Sequence, residues 1–225
     1  DKKSLVIYFS RADENYAVGY ISKGNTEVIA EYIRDITGAD LFKIEGVQGY
    51  SADYNTCIEE AKQRQARDER PELKAYIDDI SQYEVIYIGA PVYWGIMPQE
   101  MITQLEKLDF TGKTVRVFTT HEGSGTGSIP SQVKRICQGA DVLDDSIAIR
   151  GASVNSAKSK IENSFPDQKT IHDLPLTALQ RLVLPGFLFY GADHHNIQHD
   201  YEGQEQNGGQ RCPLHGAGVI ESVEE

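Results

Sequence analysis

Ser10 and Arg11 end an apolar run, SLVIYFSR, and Asn25 and Thr26 open an amphipathic stretch, NTEVIAEYIRDI. The run predicts a buried strand and the stretch a helix, so these four residues meet where a strand-end loop feeds a helix N-terminus. The first N–H groups of a helix have no intrahelical acceptor, and the helix dipole is positive at that end. Small hydroxyl and amide side chains placed there can surround a phosphate without a metal. A plain capped helix is the competing reading. The loop lacks G-x-x-x-x-G-K-S/T, which argues against ATP or GTP. It also lacks G-x-G-x-x-G, which argues against a dinucleotide held in the usual way.

Two further strand-end loops carry chemistry. In GAPVYWGIMP, Tyr93 and Trp94 directly follow a strongly buried strand and precede Gly95. An aromatic pair at that place can stack a flat conjugated ring, and Trp94 is the sole tryptophan. The alternative is that Trp94 plugs the core. In TTHEGSGTGS the glycines let backbone N–H groups approach a ligand closely. His121 and Glu122 read there as ordinary exposed loop residues. Taken together, the three loops suit one ligand with a single phosphate and a planar ring.

The elements that hold these loops alternate strand and helix five times. Strands are expected at 4–10, 40–45, 84–91, 113–119 and 142–150. Helices are expected near 25–37, 54–68, 99–108 and 127–137, with a last one after an N-cap at Ser153. Gly38 reads as the residue ending the first helix, and Pro98 suits the first turn of the third. Such alternation predicts a parallel sheet covered by helices on both faces, with ligand beyond the carboxyl ends of the strands.

The 225-residue chain is 40% hydrophobic and 25% charged, which fits one globular core with an appendage. No apolar run is long enough to span a bilayer, and a cytoplasmic protein is expected, although a removed leader ahead of Asp1 stays open. The formal charge of −12 excludes nucleic acid as the main partner and suits basic partner proteins. Three scattered cysteines indicate neither a disulfide framework nor a cysteine-only zinc site. The organisation expected is one domain over 1–164 and a C-terminal extension over 165–225, poorly ordered or docked on the body, because periodicity fails there. His194, His195, His199, Cys212 and His215 in that extension are metal-capable types, but helix signals between them are lacking, and no metal is expected.

Several tracts together resemble the flavodoxin family: IYFSRADENYAVGYISKGNTEVIAEYI, YSADYNTCIEEAKQR, RPELKAYIDDISQYEVIYIGAPVYWGIMP, and TTHEGSGTGS followed by IRGASVNSAKSKIEN. The resemblance covers about residues 3–163. It implies a flavodoxin-like, doubly wound α/β fold with a five-stranded parallel sheet in the order 2-1-3-4-5, and non-covalent FMN. By position, Ser10, Arg11, Asn25 and Thr26 would hold the phosphate. Pro91, Val92, Tyr93, Trp94 and Gly95 would line the isoalloxazine. Thr119, Thr120, Gly123, Ser124 and Gly125 would flank its other side and polar edge. The first loop is much longer than the compact form usual in the family, which leaves Asp13 through Lys23 without a role.

The resemblance implies a low-potential electron carrier working between redox partner proteins. An NAD(P)H-dependent FMN or quinone reductase on the same fold is the alternative, disfavoured because no basic cluster near the second and third loops would take nicotinamide phosphates. A phosphoacceptor receiver is excluded, since Ser10-Arg11 and Ala90-Pro91 stand where it needs acidic residues.

Overall fold

The computed structural model describes residues 3–165. Its centre is a parallel sheet of β1 (Ser4–Phe9), β4 (Asp40–Ile44), β5 (Val85–Pro91), β6 (Thr114–His121), β7 (Asp141–Val142) and β8 (Ile147–Arg150). The order is β4-β1-β5-β6, with β7 and β8 both along the free side of β6. This is the expected 2-1-3-4-5 order, with the fifth strand in two pieces. The chain leaves the ladder between them, where Asp144 and Asp145 turn to pair with Lys134 and Arg116.

Side chains alternate across the sheet, as the pleat requires. Leu5, Ile7 and Phe9 enter one apolar cluster, and Val6 and Tyr8 enter the other. The second cluster is closed by α1 (Asn25–Thr37) through Ile29, Ala30 and Ile33, and by α5 (Lys158–Ser164) through Ile161. The first is closed by α3 (Gln99–Leu105) and α4 (Ile129–Ile136). Burying one such isoleucine contributes about 1.5–3 kcal/mol, so each face holds its helices firmly.

Helix α2 (Tyr54–Ala66) begins at Asp53, whose carboxylate accepts the Thr56 N–H and hydroxyl. Its buried face is Cys57, Ala61 and Arg64, so an arginine points inward. Two local expectations are corrected. Ser153 is not an N-cap: residues Gly151–Ser156 form a 3₁₀ turn, and the Ser153 carbonyl accepts the Ser156 hydroxyl, so α5 starts later, after Ala157. Pro98 is the N-cap of α3 rather than a first-turn residue, and its extended ψ of 145° fits that place.

The long first loop contains a small antiparallel hairpin, β2 (Asp13–Asn15) and β3 (Gly19–Ile21). At its tip the Val18 N–H donates to the Tyr16 carbonyl at 2.8 Å around Ala17, whose φ is +63°. This three-residue turn is a strained form, and it survives because the hairpin is tied down elsewhere. The Arg11 guanidinium donates to the carbonyls of Ser51, Ala52 and Glu14. The Glu14 carboxylate accepts the Tyr54 N–H at 3.0 Å. The hairpin is thereby fixed to the start of α2.

Among the described residues no helix is long and apolar enough to cross a membrane. No group of three metal-ligating side chains occurs among them either. The His194–His215 cluster and the extension past Phe165 lie outside the described residues; Phe165 itself is buried in the second cluster against Tyr87.

Candidate functional site

Strand order reverses between β1 and β5, and the loops after both strands open onto one cavity of about 350 Å³. The loop after β6 closes it. Ser10, Arg11, Asn25, Thr26, Pro91, Val92, Tyr93, Trp94, Thr120, Gly123 and Ser124 all line it, so the three loops read from the sequence converge.

At one end lies the N-terminus of α1. Its N-cap, Gly24, offers no side chain; instead Ser10 Oγ accepts the Glu27 N–H at 3.0 Å from the end of β1. A Cβ on Gly24 would stand 2.2 Å from Ser10 Oγ and 2.6 Å from the Arg11 carbonyl oxygen, so only glycine lets helix and strand end approach this closely. The Asn25 and Thr26 N–H groups lie in the turn that has no intrahelical acceptors. Thr26 and Thr120 are buried, and their hydroxyls are 2.7 Å apart. One donates to the other, and the accepting hydroxyl keeps its own hydrogen for a ligand. Arg11 stands in the wall, but its guanidinium is committed to backbone carbonyls, so it supplies fixed positive charge and holds the hairpin.

At the other end the chain turns tightly. Tyr93 and Ile96 exchange backbone hydrogen bonds of 2.8 and 3.1 Å, and Trp94 and Gly95 between them have φ of +51° and +84°. Positive φ at both central residues defines a type I′ turn, which is costly for tryptophan. Trp94 is 51% exposed, so core packing does not compensate that strain. Its indole N–H donates to the Ile58 carbonyl at 2.8 Å, and Lys62 Nζ lies 5.2 Å from the ring centroid. The ring is therefore a fixed plate on the cavity rim, and the core-plug reading does not apply.

The α2 wall adds Tyr54, Cys57, Ile58 and Ala61, and the hairpin adds Asn15 and Tyr16. Tyr16 and Tyr54 pair with ring centroids 5.8 Å apart. Burial pushes the Cys57 thiol up and the neighbouring Tyr93 phenol well above its ordinary range, so both are neutral. Behind Tyr93 lie Phe9 and Tyr50, all three edge-to-face at 5.6–6.1 Å. The Tyr50 hydroxyl donates to Glu100 at 3.1 Å, and the Arg64 guanidinium stacks on its ring. Arg64 and Glu100 form an ion pair that is 8% and 1% exposed. Arg64 also donates to the Gln48 and Gly49 carbonyls, which holds the loop carrying Tyr50.

His121 and Glu122 line the cavity too, contrary to their reading as ordinary loop residues. The Gly123 N–H donates to His121 Nδ1 at 2.9 Å, which leaves the ring proton on Nε2. Partial burial is the main cause that holds this imidazole below its ordinary value; Glu122 opposes and Arg150 and Lys160 assist. The unfolded chain thus takes up the proton first as pH falls. The stabilisation is complete above about 6.5, the ordinary histidine value, and is lost as pH falls through the folded value. Nitrogen-detected NMR should show the Nε2–H tautomer at pH 7 and a midpoint below that of a free histidine; a midpoint above it would contradict the Gly123 contact.

Gly95, Thr119 and Gly125 do not reach the cavity wall. The Gly95 carbonyl accepts the Ser128 N–H, and the Thr119 hydroxyl donates to the Gly125 carbonyl at 3.2 Å. These contacts fix the second loop to the start of α4 and shape the third loop. The sequence reading missed the hairpin, Cys57 and the Arg64–Glu100–Tyr50 network. A glutamate inside QEMITQL was the available sign, because a charge on a buried helix demands a partner.

The family model that describes flavodoxins matches residues 3–165. Solved structures show the same fold. A Bacteroides eggerthii protein assigned as a flavoprotein is 25% identical, with a TM-score of 0.55 over 72% of this chain and 98% of that one. One from Bacteroides uniformis is 24% identical, with a TM-score of 0.58 over 72% and 98%. A Lactobacillus acidophilus flavoprotein, solved in complex with FMN, is 23% identical, with a TM-score of 0.50 over 71% and 99%. No curated protein matches the chain significantly.

Proposed function

Because the chain belongs to the flavodoxin family, we propose that it binds FMN in this cavity and works as an electron carrier. The observation that carries the reading is one cavity with a single helix N-terminus at one end and aromatic plates at the other. Bound flavin supplies one- and two-electron chemistry. The residues supply binding and orientation. Asn25 and Thr26 hold the phosphate with N–H and hydroxyl donors, beside the fixed charge of Arg11. Tyr93 and Trp94 stack the ring, and Thr120, Gly123 and Ser124 face its polar side.

A cavity of about 350 Å³ is near the lower end of small-molecule sites, which run to roughly 1,000 Å³. One phosphate-sized cradle and that volume favour FMN over FAD. Calorimetry on the apoprotein should give tighter FMN than FAD binding; equal or tighter FAD binding would contradict the proposal.

The plate at the rim has its own test. Trp94→Ala should weaken FMN binding by about 1–3 kcal/mol through lost stacking and buried area. Unchanged affinity, with no flavin quenching of wild-type tryptophan fluorescence, would make Trp94 structural only.

The net charge of −12 suits basic redox partner proteins, chiefly through their association rate. The reductase alternative gains one observation: the hairpin adds Asn15 and Tyr16 to the cavity, a wall that could seat a small molecule. Steady-state NADPH oxidation with a quinone acceptor separates the two, since a carrier turns over only with a protein reductase present.

A further inference from the structure

The hairpin and α2 give the cavity a wall of Asn15, Tyr16, Tyr54, Cys57, Ile58 and Ala61. Trp94 joins it, because its indole N–H donates to the Ile58 carbonyl. Tyr16 is 61% exposed and Trp94 is exposed too, so neither ring is spent on core packing. Single exposed aromatics are ordinary on a surface. Here two border one cavity, and strain accompanies both: Trp94 itself and Ala17, next to Tyr16, have positive φ. Such strain persists only where the surroundings enforce it. Arg11 and Glu14 enforce it at the hairpin by their bonds to Ser51, Ala52 and Tyr54. Tyr16 and Tyr54 stand with their ring planes 31° apart. The rings are thus set before any ligand arrives, which lowers the ordering cost of binding.

This wall carries no ionised group. The Cys57 thiol is buried and neutral. Arg11 also lines the cavity, but its guanidinium donates to the Ser51, Ala52 and Glu14 carbonyls. Lys62 lies against the Trp94 ring and is not part of the cavity lining. An anionic ligand therefore finds no free counter-charge here. The Asn15 amide donates to the Ala12 and Asp13 carbonyls, so the tyrosine hydroxyls are the uncharged donors of this wall. Carbonyl oxygens on a flat ring are their complement. We propose that the hairpin and α2 form a second ligand site, for an uncharged planar ring of the quinone class, beside bound FMN. This rests on the FMN reading and deepens it by naming a small-molecule partner for the flavin.

Equilibrium dialysis of duroquinone against the full chain, loaded with oxidised FMN and free of reductant, reads the site directly. Duroquinone is flat, uncharged and fully substituted, so it adds to no thiol. Wild-type protein should hold one equivalent. Tyr16→Ala should weaken duroquinone by on the order of tenfold through lost stacking and ring contact, and FMN by less than about twofold. Tyr16→Phe keeps the ring and should retain most of the binding. Camphorquinone, an uncharged diketone that is not flat, should bind far more weakly than duroquinone. No duroquinone binding, equal binding of camphorquinone, or wild-type affinity in Tyr16→Ala would each overturn the proposal. If Tyr16→Ala weakens FMN and duroquinone alike, the hairpin belongs to the flavin site, and the second site falls while the FMN reading stands. If wild-type protein binds no FMN, both fall.

Discussion

Glu100→Ala should lower the stability of the fold by about 3–5 kcal/mol, because it leaves the Arg64 guanidinium buried without its counter-charge. Both side chains are buried, and the carboxylate also accepts the Tyr50 hydroxyl. Burial raises the Glu100 carboxyl from its ordinary value, while Arg64 and Tyr50 oppose that rise. The effect should not stop at stability. Tyr50 packs edge-on against Tyr93 in the cavity wall, so a loosened Tyr50 should also weaken flavin binding. Replacing both charges together, Arg64→Met with Glu100→Leu, should cost far less than Glu100→Ala, since exchanging a buried pair for apolar groups is often near neutral. Urea unfolding of the three proteins checks this. A single-variant loss below about 1 kcal/mol would show that water reaches the pair.

Thr26→Val should lower FMN affinity tenfold or more, since a hydrogen bond to a charged group contributes about 1.5–3 kcal/mol. Riboflavin, lacking the phosphate, should be held almost unchanged. The Thr26 hydroxyl is shared with Thr120 at 2.7 Å, so the variant also strands a buried hydroxyl. Thr26→Ser retains the hydroxyl and should recover most of the FMN affinity. Equal weakening of FMN and riboflavin would mean that the hydroxyl pair only holds the first and third loops together.

Thr26 is visible in the chain: a hydroxyl at the start of an amphipathic helix, just beyond a buried strand, is placed by local pattern alone. The pairing of Arg64 with Glu100 is not, because 36 residues separate them and no periodicity brings α2 onto α3. The same holds for Arg11. Its position beside Ser10 suggested a phosphate ligand, whereas its donors go to the Glu14 carbonyl and to two carbonyls about 40 residues away.

Gly151 shows the limit most plainly. In the sequence it is one glycine after a strand; in the fold a Cβ there would stand 2.1 Å from Glu122 Oε1 and 2.5 Å from Asn25 Nδ2, so only glycine fits against both side chains. By itself the sequence determined the β-α alternation, the parallel sheet, and the three strand-end loops with Ser10, Thr26, Tyr93 and Trp94. Each of those follows from period, burial and turn chemistry within about twenty residues. The tertiary structure alone decided that the insertion at 13–21 is a hairpin pinned to α2, that His121 and Glu122 face the cavity, and that Arg64 is buried. Those outcomes depend on which distant backbone carbonyls and carboxylates are brought within hydrogen-bond reach. Local sequence carries no record of that distance.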